Sequence, residues 1–183
     1  MTVRNVYLDC EFLPADQSTN GLVSIGLTDD QGVDYYAVNS EMDIAALLAV
    51  PWMVDNVWPY LPRIVLGYDE PGRILNHDDP AVQSVEAIRA GAARYFADTD
   101  ATETRLFAYY GGQDICRLHS LWDNNWAVMP EAVPRWFFDI KALAVQAGSP
   151  ELPAQDGSEH HALADARYNR AMHQYLLSLP KEN

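Results

Sequence analysis

The run VRNVYLDCEF, residues 3–12, carries an apolar segment rich in β-branched and aromatic side chains into a pair of acids. Composition over Val3–Asp9 predicts a β-strand. Side chains alternate faces along a strand, so Asp9 and Glu11 point one way and Cys10 the other. Two carboxylates held that close raise each other's pKa, and they are costly at the end of an apolar strand unless a cation sits between them. Hard oxygen ligands of this kind select Mg²⁺ or Mn²⁺ over softer metals. Standing alone, such a pair is more often a strand that ends with both acids in water.

Outward from that strand, Leu22–Leu27 and Val33–Val38 are two further apolar runs separated by the turn cluster Thr28-Asp29-Asp30-Gln31-Gly32. Together they predict a hairpin. A helix fits Met42–Val50, ended by Pro51. Residues 51–80 hold Pro51, Pro59, Pro62, Pro71 and Pro80 with Trp52 and Trp58, and read as irregular with one short strand at Ile64–Leu66. Apolar positions Val82, Val85, Ile88, Ala92 and Tyr95 predict a helix over Ala81–Phe96. Arg105–Tyr110 reads as a strand closed by Gly111-Gly112, Asp114–Trp122 as a helix, and Trp136–Ile140 as a strand. Lys141–Ala147 is a short helix ended by Gly148, and Pro150–Pro153 a break. The last helix, His161–Leu179, places Tyr168, Met172, Tyr175 and Leu179 on one stripe. Three strands, a helix, then strand and helix in alternation predict an α/β domain with a mixed central sheet flanked by helices. Neither an internal repeat nor a second domain emerges, so residues 1–183 are read as one domain.

Composition bounds the function. The chain is 49% hydrophobic and 11% aromatic, which excludes a disordered polymer. Apolar runs are too short for a membrane span, and the N-terminus runs straight into a strand instead of a signal peptide. Cys10 and Cys116 are the two cysteines; they imply no disulfide framework, and a reducing cytoplasm is the expectation. Twelve Lys and Arg against 26 Asp and Glu give a net charge of −14. That balance argues against extended, non-specific duplex binding, which is usually the work of basic proteins. It leaves room for holding a strand end at a metal-loaded site. The basic side is skewed to arginine, with Lys141 and Lys181 the two lysines; arginine suits bidentate phosphate contact and stacking.

Two more segments carry chemistry. In Tyr109-Tyr110-Gly111-Gly112-Gln113-Asp114 a strand delivers the chain to two glycines and an acid at a helix start, where the helix dipole favours negative charge. In His160-His161-Ala162-Leu163-Ala164-Asp165, after the turn-forming Asp156-Gly157-Ser158, Asp165 lies one turn into the last helix and His160 at its mouth. A histidine near neutral pKa is suited to deprotonating water. Each segment is weak in isolation. Together, Asp-x-Glu ending the first strand, Asp after a central strand and His-x4-Asp opening the C-terminal helix form an ordered set.

With those five positions the chain resembles the DEDDh 3′–5′ exonucleases of the ribonuclease H-like superfamily. Within that group it is most similar to small actinobacterial exoribonucleases of the ribonuclease AS type. The stretches that carry the resemblance are YLDCEF, LVSIGLTDDQGVDYYAVNSEMD, AYYGGQDICRL and EHHALADAR, over roughly residues 3 to 177. The resemblance implies that Asp9, Glu11, Asp114 and Asp165 bind two divalent ions, Mg²⁺ or Mn²⁺. Asp9 would bridge them, Glu11 and Asp165 would complete the first ion's shell, and Asp114 would hold the second. His160 would deprotonate the attacking water, and nucleoside 5′-monophosphates would leave from single-stranded RNA ends or 3′ overhangs. His-x4-Asp spacing selects His160 over its neighbour His161. His77, His119 and His173 show no ligand spacing.

Substrate contacts are less legible. Phe12 is a candidate for stacking on a terminal base, Ser24 for touching the terminal nucleotide, and Arg117, Arg135, Arg167 and Arg170 for phosphate. Phe12 suits core packing equally, and each arginine suits a surface ion pair. Trp122, Trp126 and Trp136 suit a groove, the core or a homodimer contact. Two other readings share these residues: a DNA-directed proofreading subunit, and a catalytically silent module that binds RNA ends or nucleotides.

Overall fold

The computed structural model describes residues 1–64, 74–155, 157 and 159–180. Strand β1 spans Val3–Phe12, three residues past the predicted end, and occupies the middle of the sheet. It pairs antiparallel with β2 (Leu22–Asp29), which pairs antiparallel with β3 (Asp34–Asn39), forming the predicted hairpin. On its other side β1 pairs parallel with β7 (Glu103–Ala108). Two-residue edge strands, β6 (Val82–Gln83) beside β3 and β8 (Phe138–Asp139) beside β7, complete the order β6-β3-β2-β1-β7-β8. The sheet is therefore mixed, with helices against it, as the alternation of elements predicts.

The two faces of β1 divide the core. Val6, Leu8 and Cys10 pack with Ile88, Ala92 and Phe96 of α3 (Val85–Ala97) and with Ile115 and Leu118 of α4 (Gly112–Ser120). Tyr7 turns to the opposite face and packs with Ile140 of α5 (Ile140–Gln146) and Met172 of α6 (Ala162–Ser178). By strand alternation Asp9 and Glu11 share the face of Tyr7, and α6 covers it. Asn169 of α6 locks this packing by donating from Nδ2 to the Leu8 carbonyl at 2.9 Å.

Helix α6 comes down on the sheet at one residue. Gly26 of β2 lies opposite Asp9, and a Cβ there would sit 2.3 Å from the carbonyl group of Ala162 and 2.4 Å from the nitrogen of Leu163. Only the absence of a side chain lets the first turn of α6, with Asp165 in it, close on the acidic end of β1.

The block at 51–80 departs from its irregular reading. Pro51 opens α2 (Pro51–Asn56), where its missing N–H costs nothing because first-turn amides have no helical acceptor. It follows α1 (Ile44–Leu48), capped by Asp43, so the predicted helix over Met42–Val50 is shorter at both ends. A 3₁₀ turn at Trp58–Tyr60 and a small antiparallel pair, β4 (Arg63–Ile64) and β5 (Ile74–Leu75), complete the block. Its Met53, Val57, Trp58, Leu61 and Leu75 form a separate buried cluster with Leu13, Val23 and Val38. Of the predicted strand Ile64–Leu66, residues 65 and 66 lie outside the described residues, as do Asp156 and Ser158 of the predicted turn and Lys181.

Other boundaries move for local reasons. Ser84 caps α3 by accepting from the Ala87 N–H, so the helix starts at Val85 and Val82 joins the sheet. Asp139 caps α5, which shortens the predicted strand at Trp136–Ile140 to two residues. Strand β7 ends at Ala108, and Tyr110 beyond it takes a left-handed conformation, φ 53°. Among the described residues no helix is long and apolar enough to cross a membrane.

Candidate active site

The structure brings the predicted acids together from three elements. Asp9 and Glu11 come from the end of β1, Asp114 from the first turn of α4, and Asp165 from the first turn of α6. Asp114 is fixed by the Cys10 N–H, which donates to its Oδ1 at 2.8 Å. Asp165 is held from two sides: the His160 N–H donates to Oδ2 at 2.8 Å, and the Gln155 amide donates to Oδ1. One ligand atom each of Glu11, His160 and Asp165 lie within 4.8 Å of one another. Asp114 stands outside that trio. Asp9, His160 and Asp165 line a cleft of about 340 Å³ together with Tyr109, Tyr168 and Asn169.

His160 and His161 are separated by backbone geometry. His160 adopts φ 64°, a left-handed conformation that a non-glycine residue takes at a cost. The turn puts its ring beside Glu11 and Asp165, edge-on to the Trp52 indole at 4.7 Å between centroids. His161 is instead the N-cap of α6: its Nδ1 accepts from the Ala164 N–H, and its ring stacks on Tyr36 at 4.4 Å. Burial pushes the His161 pKa down. Two of the histidines given no role have structural partners: His173 hydrogen-bonds the Tyr7 hydroxyl at 3.0 Å and His119 the Pro134 carbonyl at 2.8 Å.

The electrostatics are those of a site that lacks countercharge. Burial pushes Glu11 up to about 8, with Asp165 and Asp114 adding to it. Asp114 is pushed up to about 7, chiefly by burial, although the Cys10 N–H pulls the other way. Asp9 is raised well above the carboxylate range by burial and then by Asp114, Glu11 and Asp165. Asp165 is also raised by burial, against the pull of Gln155 and the His160 N–H. Among the described residues, no lysine or arginine forms an ion pair with any of the four. Converging hard oxygens that repel one another fit a divalent cation such as Mg²⁺ or Mn²⁺, whose charge would relieve the repulsion.

The candidate substrate residues fare differently. Ser24 pairs across from Glu11 and is buried, with the Tyr36 hydroxyl beside it. Phe12 packs against the core, its ring under the Arg117 guanidinium at 4.6 Å. Arg117 is fully buried and donates to the carbonyls of Leu13, Asp16 and Ser18, which ties down the loop after β1 and removes it from the phosphate candidates. Arg135 donates to the carbonyls of Met129, Pro130, Glu131 and Val133, and Arg170 to that of Asp29. Arg167 is half exposed and pairs with Asp34. Trp122 is buried, whereas Trp126 and Trp136 are exposed. Sequence reasoning missed Gly26, Trp52, Gln155 and Asn169. A lone glycine within an apolar strand run was a legible sign of close approach; Gln155 left none.

The chain is 30% identical over 164 residues to 3′–5′ exoribonucleases of two strains of Mycobacterium tuberculosis, covering 88% of this chain and 86% of each relative. Two solved structures of exonuclease I, one of them the apo form, superpose with TM-scores of 0.57 and 0.53 at 13% identity. They cover 93% and 94% of this chain, which spans about two fifths of their length (40% and 41%), and they speak to the fold alone. No family model matches the chain.

Proposed function

The chain belongs to the 3′–5′ exoribonuclease family of its mycobacterial relatives and is a 3′–5′ exonuclease of the ribonuclease H-like type; from that premise we propose that it removes 5′-mononucleotides from single-stranded RNA ends or 3′ overhangs by a DEDDh mechanism. The observation that carries the reading is the convergence of Glu11, His160 and Asp165 within 4.8 Å beside Asp9, in a site whose carboxylates are all raised.

Asp9, Glu11, Asp114 and Asp165 would hold the divalent ions, two by this reading. When bound, such ions supply positive charge to the scissile phosphate and to the oxygens that attack and depart. The protein's own groups do the rest. His160 takes the proton of the attacking water; its ring stands beside Glu11 and Asp165, and its main-chain N–H is fastened to Asp165. Gln155 keeps Asp165 from rotating, and the Cys10 N–H does the same for Asp114. Gly26 and Asn169 set the height and register of α6 against β1, so the two halves of the acidic set stay in fixed relation. Ser24, buried opposite Glu11, would touch the terminal nucleotide by this reading.

The test is a product analysis. A 5′-labelled oligoribonucleotide, its deoxy counterpart and a duplex with a 3′ overhang are incubated with Mn²⁺ or EDTA, and the ladders are resolved. A metal-dependent ladder shortening from the 3′ end of RNA, with 5′-monophosphates released, is expected. Equal or greater activity on the deoxy strand would refute the RNA assignment, and cleavage that survives EDTA would refute the metal site.

A further inference from the structure

The proposal here rests on the exonuclease reading above and concerns where the strand leaves the site. In an in-line displacement the attacking and departing oxygens lie on opposite sides of phosphorus. The proton acceptor His160 stands with Glu11 and Asp165, and Asp114 lies outside that group on the α4 side. The departing 3′ oxygen, and the strand attached to it, therefore run toward Asp114. The elements there are the loop before α4 and the start of α5, whose capping Asp139 is near enough for its charge to raise Asp114.

Two side chains at that exit are unexplained by folding. Tyr110 holds φ 53° while its ring stays 65% exposed, so it bears backbone strain without burying its side chain. Tyr109, which lines the catalytic cleft, meets it at 4.9 Å between ring centroids. Lys141, in the first turn of α5, places its ammonium 5.9 Å from the Tyr110 ring centroid. Among the described residues Lys141 has neither an ion pair nor a side-chain hydrogen bond. An aromatic ring and a free ammonium side by side, next to the cleft residue Tyr109, are the two parts of a single-strand subsite: a platform for a base and a cation for its phosphate.

We infer that Tyr110 and Lys141 form the subsite for the nucleotides immediately 5′ of the scissile phosphate, with Lys141 on an upstream phosphate and Tyr110 under an upstream base. Two substrates separate this role from a general one. Uridine 5′-(p-nitrophenyl phosphate) presents a scissile phosphate with nothing upstream, whereas a tetraribonucleotide fills the exit. Lys141→Ala should lower kcat/KM on the tetranucleotide about tenfold more than on the ester, and Lys141→Arg should recover most of that difference. The slope of log kcat/KM against log salt should become shallower by about 0.7, the contribution of one single-strand phosphate contact. Tyr110→Ala should cost about tenfold or more on the tetranucleotide, the size of one base–aromatic stack. Equal losses on both substrates, or an unchanged salt slope, would overturn the proposal. Fluorescence anisotropy with a labelled decaribonucleotide reads the same slope without turnover. A wild type that cleaves neither substrate would thus sink the exonuclease reading, while the anisotropy slopes still decide the subsite.

Discussion

Replacing Glu11 with glutamine should stabilise the metal-free protein and remove its activity. The carboxyl is 8% exposed and titrates at about 8 instead of its ordinary 4.5, first because it is buried and then because Asp165 and Asp114 face it. Between those two values the folded state holds a proton that the unfolded state has released. Stability must therefore fall as pH rises across that window, by about 1.36 kcal/mol per pH unit. At pH 7 the chain is two and a half pH units above the unfolded value, so the ionisable Glu11 costs on the order of 3 kcal/mol. Glutamine has nearly the same shape and no charge, and it also relieves Asp9 and Asp165. For a chain of 183 residues that corresponds to roughly 6–12 °C in Tm. The assay is thermal unfolding of wild type and Glu11→Gln at pH 5, 6, 7 and 8, with EDTA or with Mn²⁺. In EDTA the wild-type Tm should fall from pH 5 to 8 and the variant's should fall less, leaving the variant ahead at pH 7. With Mn²⁺ the order should reverse, because the ion stabilises only the protein that can bind it well. A variant that melts at or below wild type in EDTA at pH 7 would refute the claim that these carboxylates repel one another.

The other expectations are as direct. Asp9→Asn should abolish turnover without loss of fold, and EDTA should silence the wild type, with Mn²⁺ or Mg²⁺ restoring it and Zn²⁺ doing so poorly; wild-type rates in Asp9→Asn would end the metal reading. His160→Ala should slow turnover by roughly 10²–10⁴, whereas His161→Ala, which loses an N-cap and the Tyr36 stack, should cost about 1 kcal/mol of stability and far less rate. The opposite pattern in steady-state kinetics would move the proton acceptor by one residue. Gly26→Ala should push α6 off β2 and reduce kcat far more than a neighbouring Ile25→Val, measured by kinetics alongside circular dichroism; unchanged kcat would show that the close contact does not set the site.

The sheet was legible because its central strands are long and apolar and the turn between β2 and β3 is rich in Asp and Gly. The same is true of the acids: their identities and order are sequence properties, and alternation alone puts Asp9 and Glu11 on one face. The block at 51–80 was not legible, since proline there reads as a breaker, while in the structure Pro51 sits where a helix tolerates it. Buried Arg117 was also opaque. An arginine beside a motif looks like a phosphate ligand, yet here main-chain carbonyls more than 95 residues away in sequence take its donors. Such long-range pairing leaves no local pattern to read.

Net charge then becomes an argument about grip. A chain at −14 that acts on a polyanion needs positive charge somewhere, and most of its described arginines are already committed. Arg4, Arg105 and Arg167 pair with Asp29, Glu103 and Asp34, and Arg89, Arg117, Arg135 and Arg170 donate to main-chain carbonyls. The bonds of Arg89, Arg117, Arg135 and Arg170 to main-chain carbonyls hold loops and strand ends in place, so recruiting those guanidiniums for phosphate would loosen the fold. Long-range repulsion by the acidic surface adds to the cost of laying a strand along it. Arg63 and Arg94 are the described arginines outside that committed set; at the site itself the proposed reading leaves a short grip, divalent charge that the four carboxylates would hold and the ammonium of Lys141 one step upstream. On that reading such a protein would recognise the end of a strand and not its length. Its affinity should saturate after a few nucleotides, with a salt dependence set by one or two phosphates in place of the steep slope of a basic groove.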